Sequence, residues 1–158
     1  MKRAVALAVV FSFLAVSFMA AGVQADEHEV MDLEMDLRPY AMASWSDDFG
    51  LRFGVESYVR PDISIIGDIG YYFEDGDINA KGSVAYPLMA EEGLEVKALA
   101  GAGYWGTGGI EDFELHVGAV LDQHIQDEFG FRGDVSYATG ILTGDTVIEA
   151  GAGVSFQF

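Results

Sequence analysis

The sequence contains no cysteine, three prolines and only eight lysine and arginine residues among its 158 positions. Without cysteine there is no disulfide scaffold, no thiolate nucleophile and no cysteine-based zinc or iron–sulfur site. The few cations stand against 26 aspartate and glutamate residues, which gives a net charge of −18. A chain this acidic is a poor partner for nucleic acid, because phosphate backbones bind to clustered lysine and arginine. Its 51% hydrophobic content argues against disorder, and its length suits one domain.

The first 25 residues have the pattern of a secretory signal peptide. Lys2 and Arg3 precede an apolar run over residues 4–21, and small residues follow it. An uncleaved membrane anchor is the alternative, but serines interrupt the run. We therefore expect residues 1–25 to be removed and residues 26–158 to form a single domain. Beyond the signal no apolar run is long enough for a transmembrane helix, so this domain is either soluble outside the cytoplasm or meets a membrane through strands.

Apolar residues then recur at every second position, which is the period of a β-strand. The alternation defines eight segments, at residues 31–38, 49–56, 65–74, 78–88, 94–104, 113–121, 129–138 and 148–158. The connections between them are rich in Gly, Asp and Pro, which favour turns. Such short connections join only neighbouring antiparallel strands. The sequence therefore predicts an all-β protein, an eight-stranded antiparallel up-and-down barrel with short turns.

Two kinds of barrel fit this alternation: a soluble, lipocalin-like barrel with an apolar interior, and a membrane barrel with the apolar face outward. Three features favour the membrane barrel. The polar face is rich in glycine, which leaves room for long side chains in a narrow lumen. It carries charges of both signs in mid-strand, and buried charges must be paired. The segments also reach the length of about 9–11 residues that a tilted strand needs to cross a bilayer.

The predicted lumen charge network combines the charged residues of the polar faces. Its members are Asp32, Glu34, Asp36, Arg38, Arg52, Glu56, Asp68, Lys81, Glu95, Lys97, Glu114, Arg132, Asp134 and Glu149. Aromatic residues near segment ends predict belts at the two membrane interfaces. These residues are Tyr40, Trp45, Tyr58, Tyr86, Tyr104, Trp105 and Tyr137.

The last residues carry a resemblance to a known class of proteins. Val154, Phe156 and Phe158 alternate with polar residues and end the chain on an aromatic side chain. Together with the signal and the eight segments, this pattern resembles small eight-stranded bacterial outer-membrane barrels, of the OmpA transmembrane domain and OmpX type. The resemblance implies that these three residues form a signal read by the barrel-assembly machinery. It also implies periplasmic chaperones during biogenesis and outer-membrane lipid as the surroundings of the folded barrel.

Candidate chemistry is sparse. Asp32, Glu34 and Asp36 share one face, and their carboxylates would suit calcium or magnesium, but we favour a ladder neutralised by the lumen cations. Glu114 and His116 share another face without completing a metal site, and we expect no metal or cofactor. Some small outer-membrane barrels modify lipids through rim residues, and four rim residues here could be assigned that role: Ser46, Asp47, Asp75 and Asp112.

We therefore expect a monomeric, non-enzymatic outer-membrane barrel with both chain ends in the periplasm. The connections at residues 45–48, 74–77, 106–111 and 139–145 would face outward. The lumen would be plugged by ion pairs, and the role would be structural, in membrane integrity. The alternatives are a narrow cation-preferring channel, a soluble ligand-binding barrel and a lipid-modifying enzyme.

Overall fold

The structure, a computed structural model, describes residues 37–74, 76–107, 110–126 and 128–157. The predicted signal peptide, three members of the predicted network (Asp32, Glu34, Asp36) and the terminal Phe158 lie outside the described residues. Among the described residues, no helix is long and apolar enough to cross a membrane.

Eight antiparallel strands form a closed barrel in which each strand pairs with its sequence neighbours and β8 pairs with β1. This confirms the predicted fold class and topology. The strands are β1 Leu37–Trp45, β2 Phe49–Arg60, β3 Ile63–Tyr72, β4 Ile78–Glu91, β5 Leu94–Thr107, β6 Ile110–Gln126, β7 Phe129–Gly140 and β8 Thr146–Phe156.

Most predicted segments differ from the observed strands by several residues at one or both ends, and two of these differences change which residues line the lumen. The first described strand is Leu37–Trp45, whereas the first predicted segment ended at residue 38. The predicted segment shows strict alternation, but strand pairing with β2 and β8 continues through Ala41 and Ala43, whose short side chains weaken the apolar signal. Asp122 was assigned to a connection, and the structure places it inside β6, where its carboxylate is buried among cations.

The barrel has two unlike ends. The ends of β1 and β8 nearest the chain termini lie together at what we call the terminal end, with the turns at residues 61–62 and 92–93. The opposite end, which we call the distal end, carries the turns after Trp45, Tyr72 and Gly140. Gly76, Gly93 and Gly144 occupy turns with φ of 71°, 82° and 74°, a backbone conformation that side chains with a Cβ rarely adopt.

Candidate functional site

The apolar faces of the strands point away from the barrel axis. Phe53, Val117 and Val135 lie in mid-strand and are 60%, 57% and 49% exposed. Away from the strand ends and bulges, no outward-facing position of the described strands holds a charged residue. By contrast, 18 of the buried residues in the described chain are polar or charged and nine are hydrophobic. This inverts the usual arrangement of a protein with a hydrophobic core.

Nearly all of the cations in the described chain lie inside the barrel. Five of its six lysine and arginine residues are in the lumen: Arg38, Arg52, Lys81, Lys97 and Arg132. The sixth, Arg60, lies at the terminal end of β2. The lumen cations fall into two ion-pair networks, one in each half of the barrel.

The terminal network surrounds Lys97, which is completely buried. Its Nζ lies 2.7 Å from Glu56 Oε1, 2.9 Å from Asp122 Oδ2 and 3.3 Å from Glu95 Oε2. Arg132 Nη1 reaches from β7 to Glu56 Oε2 on β2 at 2.7 Å, and Arg38 contacts Glu95 at 3.6 Å. Among the described residues, three cations and three carboxylates make up this network, so their formal charges are equal in number.

The distal network surrounds Glu149, which is also completely buried. Its carboxylate binds the Arg52 guanidinium, accepts a hydrogen bond from Lys81 Nζ at 2.9 Å and accepts another from the Tyr72 hydroxyl at 2.7 Å. Arg52 also pairs with Asp134 and lies 3.9 Å from Asp68, while Lys81 lies 3.3 Å from Glu114.

The distal network is not balanced in charge. Two cations, Arg52 and Lys81, face four carboxylates, which leaves an excess of two negative charges. Several buried acceptor oxygens in this half accept no hydrogen bond from the described residues: Asp68 Oδ1, Asn79 Oδ1, Glu114 Oε1 and Asp134 Oδ1. The same half also holds Arg52 Nε without a hydrogen-bond partner among the described residues, and Glu114 Oε1 lies 3.3 Å from the Lys81 ammonium.

A short apolar belt separates the two networks. Tyr40, Met42, Ile66, Ala85 and Val120 form one buried cluster, against which Leu99 packs. The void at this level has a volume of about 10 Å³, which is room for about one water molecule. The side chains of this belt therefore lie across the described lumen between the two networks.

Inward-facing glycines create space for these side chains. A Cβ at Gly151 would lie 2.7 Å from Asp134 Oδ1 and 2.9 Å from Arg52 Nη2, and one at Gly103 would lie 3.0 Å from Glu114 Oε1. The glycine-rich polar face thus makes room for charged side chains, as the sequence indicated. Other inward glycines instead make room for aromatic rings or neighbouring backbone, as Gly54 does for Tyr40.

At the distal end the lumen opens into a cavity of about 600 Å³, which we call the vestibule. Tyr72 and Trp105 line it with their rings, whose centroids are 4.8 Å apart. The acidic residues that line it are Asp47, Asp48, Asp77, Asp112, Glu114 and Asp145. No lysine, arginine or histidine is among the described residues around the cavity.

Two of these acids order the distal turns. Asp112 accepts hydrogen bonds from the backbone N–H groups of Leu142 and Thr143, at 2.9 and 3.2 Å, and from the Thr143 hydroxyl at 2.7 Å. Asp48 accepts one from the backbone N–H of Glu74 at 2.6 Å. The vestibule therefore has a wall held in place by its own side chains.

Every described member of the predicted charge network lies in the lumen. Sequence reasoning missed Asp122 and the tyrosines that complete the networks: Tyr40 donates a hydrogen bond to Asp68 at 3.0 Å, and Tyr58 donates one to Glu95 at 2.7 Å. The inward parity of Asp122, eight residues after Glu114 on the same strand, was the signal that could have found it.

The predicted aromatic belts require a correction. Tyr40, Tyr58 and Trp105 face the lumen, because their positions have the parity of the polar face. Trp45, Tyr86 and Tyr137 face outward and are about half exposed, at 48%, 54% and 48%. Nearness to a strand end did not determine the direction of these side chains; strand alternation did.

The described residues considered for catalysis or metal binding lie around the vestibule and in the distal half of the lumen. Ser46, Asp47 and Asp112 line the vestibule, with Asp112 engaged by the β7–β8 turn, and Asp75 lies outside the described residues. The His116 Nε2 and Ser83 hydroxyl are 2.8 Å apart in the distal half. Within the described ranges, no group of three or more His, Asp or Glu side chains is placed to hold a metal ion.

No protein-family model and no curated protein matches the sequence. The fold is nevertheless similar to several solved structures. The N-terminal β-barrel domain of Pseudomonas aeruginosa OprF is similar with a TM-score of 0.70 and 16% identity, over 78% of this chain and 97% of that one. A major outer-membrane protein of Thermus thermophilus gives 0.63 and 11%, over 79% and 100%.

A de novo designed transmembrane β-barrel is also similar, with a TM-score of 0.60 and 14% identity over 78% of this chain and 95% of that one. The chain therefore shares the architecture of eight-stranded membrane barrels. Identities this low establish the fold alone, and the function has to be argued from the residues of this chain.

Proposed function

We propose that this protein is an outer-membrane β-barrel whose lumen is closed by ion pairs and whose role is structural, in the integrity of the membrane. The observation that carries the proposal is the inverted distribution of polarity. A charge-free apolar wall is stable against hydrocarbon, and a closed barrel pairs all of its strands, as a segment inside a bilayer must.

A soluble barrel is a poorer explanation of the same residues. In water, the outward Phe, Leu, Val and Ile side chains would form a continuous exposed apolar surface, and soluble proteins rarely expose such a surface. A ligand-binding soluble barrel would also have an apolar interior, whereas this interior holds ten or more charged side chains. The direction of the faces thus favours lipid as the surroundings.

The closed lumen is argued from the side chains that cross it. Arg132 spans from β7 to Glu56 on β2, and Lys97 connects β5 to the same carboxylate. An eight-stranded barrel is just wide enough to be filled by such side chains. With space for about one water in the middle, we expect no continuous path for a hydrated ion.

We also propose how the chain is secreted, assembled and oriented in the membrane. Residues 1–25 would direct secretion, and Val154, Phe156 and Phe158 would be read by the barrel-assembly machinery, with periplasmic chaperones escorting the chain. The folded protein would be a monomer in outer-membrane lipid, without enzymatic activity. Its terminal end would face the periplasm and its distal end the exterior.

The location is tested by fractionation and by electrophoresis without boiling. We expect the protein in the outer-membrane fraction, released only by detergent, and we expect a folded form that migrates differently from the boiled form. Release by buffer or salt alone would show that the barrel is not embedded in lipid and would contradict the proposal.

The plugged lumen is tested by recordings in planar bilayers. The wild-type barrel should show no stable single-channel steps. Arg132→Ala serves as the positive control. It removes a side chain that crosses the lumen and should produce detectable conductance, which would show that the recording can register an opened barrel. Stable cation-preferring steps from the wild type would instead establish the narrow-channel alternative.

A further inference from the structure

The small void at the level of the apolar belt touches both ion-pair networks. Its volume is about 10 Å³, which is room for about one water molecule. Arg132 of the terminal network lines it, and so do Arg52, Asp68 and His116 of the distal half. Arg132 in turn contacts Glu56 at 2.7 Å. The void is therefore a point at which the two networks meet.

The residues around this void carry polar atoms that suit a water molecule better than an ion. Arg52 Nε and Arg132 Nε are buried donors, and Asp68 Oδ1 and Asp134 Oδ1 are buried acceptors. None of these four atoms has a hydrogen-bond partner among the described residues. Arg52 Nε lies 3.9 Å from Asp68 Oδ1, a separation that a bridging water fits. A cation here would meet guanidinium groups and an anion would meet carboxylates, whereas water both donates and accepts.

His116 connects the void to the vestibule. Its ring is buried, and its Nε2 lies 2.8 Å from the hydroxyl of Ser83, which also lines the void. Its Nδ1 has no hydrogen-bond partner among the described residues and lies 3.7 Å from Oε1 of Glu114. The Glu114 side chain lines the vestibule and is 5% exposed. An imidazole can take up a proton at one nitrogen and release one from the other, and this ring has a carboxylate at one nitrogen and a hydroxyl at the other.

Toward the terminal end, the chain of exchangeable groups continues. Glu56 Oε1 accepts a hydrogen bond from Lys97 Nζ at 2.7 Å, and the same Nζ lies 2.8 Å from the Tyr58 hydroxyl. That hydroxyl donates to Glu95 at 2.7 Å. The Glu95 side chain is 15% exposed, near the terminal end of β5. Carboxylates and hydroxyls therefore extend from the void to the terminal mouth of the lumen.

We propose that the closed lumen conducts protons while it excludes hydrated ions. A proton from the vestibule would bind to the Glu114 carboxylate and pass to Nδ1 of His116. The ring would release its Nε2 proton to Ser83 and the void water, and rotation of the ring would restore its first tautomer. The water would pass a proton to Glu56, and the terminal network would carry it to the opposite mouth. Each group gains one proton and loses one, so net movement follows the pH difference. The inference goes beyond a structural role and rests on the closed lumen proposed above.

Phospholipid vesicles with an enclosed pH-sensitive dye provide the test. They hold the refolded mature barrel with equal potassium on both sides and valinomycin, which keeps the membrane potential near zero, and the external pH is then lowered. The wild type should dissipate the pH difference faster than protein-free vesicles do, at a rate proportional to the amount of protein. Without valinomycin, the same vesicles should retain a potassium gradient. Arg132→Ala opens the lumen and should dissipate both gradients.

Histidine variants separate a relay from a general leak. His116→Gln keeps an amide that can hydrogen-bond to Ser83 but cannot shuttle a proton, and it should lower the protein-dependent rate by about a hundredfold. His124→Gln is the matched control, because His124 lies near the terminal end of the same strand and should leave the rate unchanged. Ser83→Ala removes the hydroxyl at little change in volume and should also slow proton movement, which covers the case in which His116→Gln does not fold.

The possible failures of the relay and of the closed lumen can be told apart. A wild-type rate equal to that of protein-free vesicles would refute the relay while leaving the proposed function intact. Equal rates for the wild type and for folded His116→Gln or Ser83→Ala would also refute it, and so would equal slowing by His116→Gln and His124→Gln. Loss of the potassium gradient from the wild type without valinomycin would contradict both the relay and the closed lumen, because an open pore passes either ion.

Discussion

Lys97 illustrates how single residues are tolerated inside this barrel. Its ammonium group has no exposure to solvent, yet it contacts three carboxylates and the Tyr58 hydroxyl, the last at 2.8 Å. A buried charge is costly unless paired and hydrogen-bonded, and removing one partner of such a pair leaves the other uncompensated.

Lys97→Met should therefore destabilise the barrel by about 3–5 kcal/mol. The variant leaves Glu56, Glu95 and Asp122 facing only Arg38 and Arg132. Adding Glu56→Gln restores equal numbers of both charges and should recover part of the loss. Unfolding by guanidinium in phospholipid vesicles, applied to both single variants and the double variant, measures the coupling. Strictly additive effects would contradict the network.

Substitution of Gly151 gives a second prediction at the scale of single residues. Gly151→Ala would place a Cβ within 2.9 Å of Arg52 Nη2 and 2.7 Å of Asp134 Oδ1, atoms that ion pairs hold in place. We expect a loss of about 1–3 kcal/mol from overpacking. Gly133→Ala is the matched control, because the nearest atom to its Cβ lies 3.8 Å away. Equal unfolding midpoints for the two variants would refute the steric explanation.

At the scale of the element, each strand has an apolar face that points outward and a polar face that points into the lumen. β6 is the longest, at 17 residues, and carries Glu114, His116 and Asp122 inward and Leu115, Val117 and Leu121 outward. The described strands contain three β-bulges, and all of them lie at the terminal end. They occur at Tyr58/Arg60, Pro87/Met89 and His124/Gln126. Bulges are common at barrel rims, where they interrupt the alternation, so the regular part of each strand lies toward the middle and the distal end.

Arginine substitution along β6 tests whether the outward face meets a bilayer. Val117 lies in mid-strand and Ile125 near the terminal end, with similar exposures of 57% and 50%. Val117→Arg should cost about 2–4 kcal/mol in phospholipid vesicles and Ile125→Arg about 0–1 kcal/mol, because the penalty depends on depth. A soluble barrel predicts little cost at either position.

At the scale of the whole molecule, the two ends differ in shape and charge. The distal end opens into the acidic vestibule, and the terminal end carries the bulges and both ends of the described chain. Five of the six described cations are enclosed in the lumen, which leaves the exposed turns at the two ends predominantly acidic. This distribution disfavours direct contact with anionic polymers or head groups.

The orientation can be tested by labelling, because the chain has no cysteine of its own. Leu142→Cys lies in the β7–β8 turn at the distal end, where the side chain is 72% exposed. Glu92→Cys lies in the β4–β5 turn at the terminal end. A membrane-impermeant maleimide should label the first in intact cells and the second only after permeabilisation. The reverse pattern would invert the proposed orientation.

The sequence by itself determined the strands, their order and the face to which most side chains belong. Period-two alternation with short turns admits few arrangements, and the enclosed charges could be identified from parity, as for Arg52 and Glu149. The sequence was less informative where the apolar signal was weak, as at Ala41 and Ala43 in β1. It was also less informative where a charged residue lay close to a predicted turn, as Asp122 did.

Only the tertiary structure decided which carboxylate meets which cation, because those partners come from strands far apart in sequence, such as Arg52 and Glu149. Barrel closure and strand stagger set the position of each side chain along the barrel axis. Neither can be read from the sequence of a single strand. The same closure divided the lumen into a balanced terminal half and an acidic distal half, and placed Tyr72 and Trp105 together beneath the vestibule. Alternation assigns a side chain to the inside; the three-dimensional position along the axis determines what it contacts.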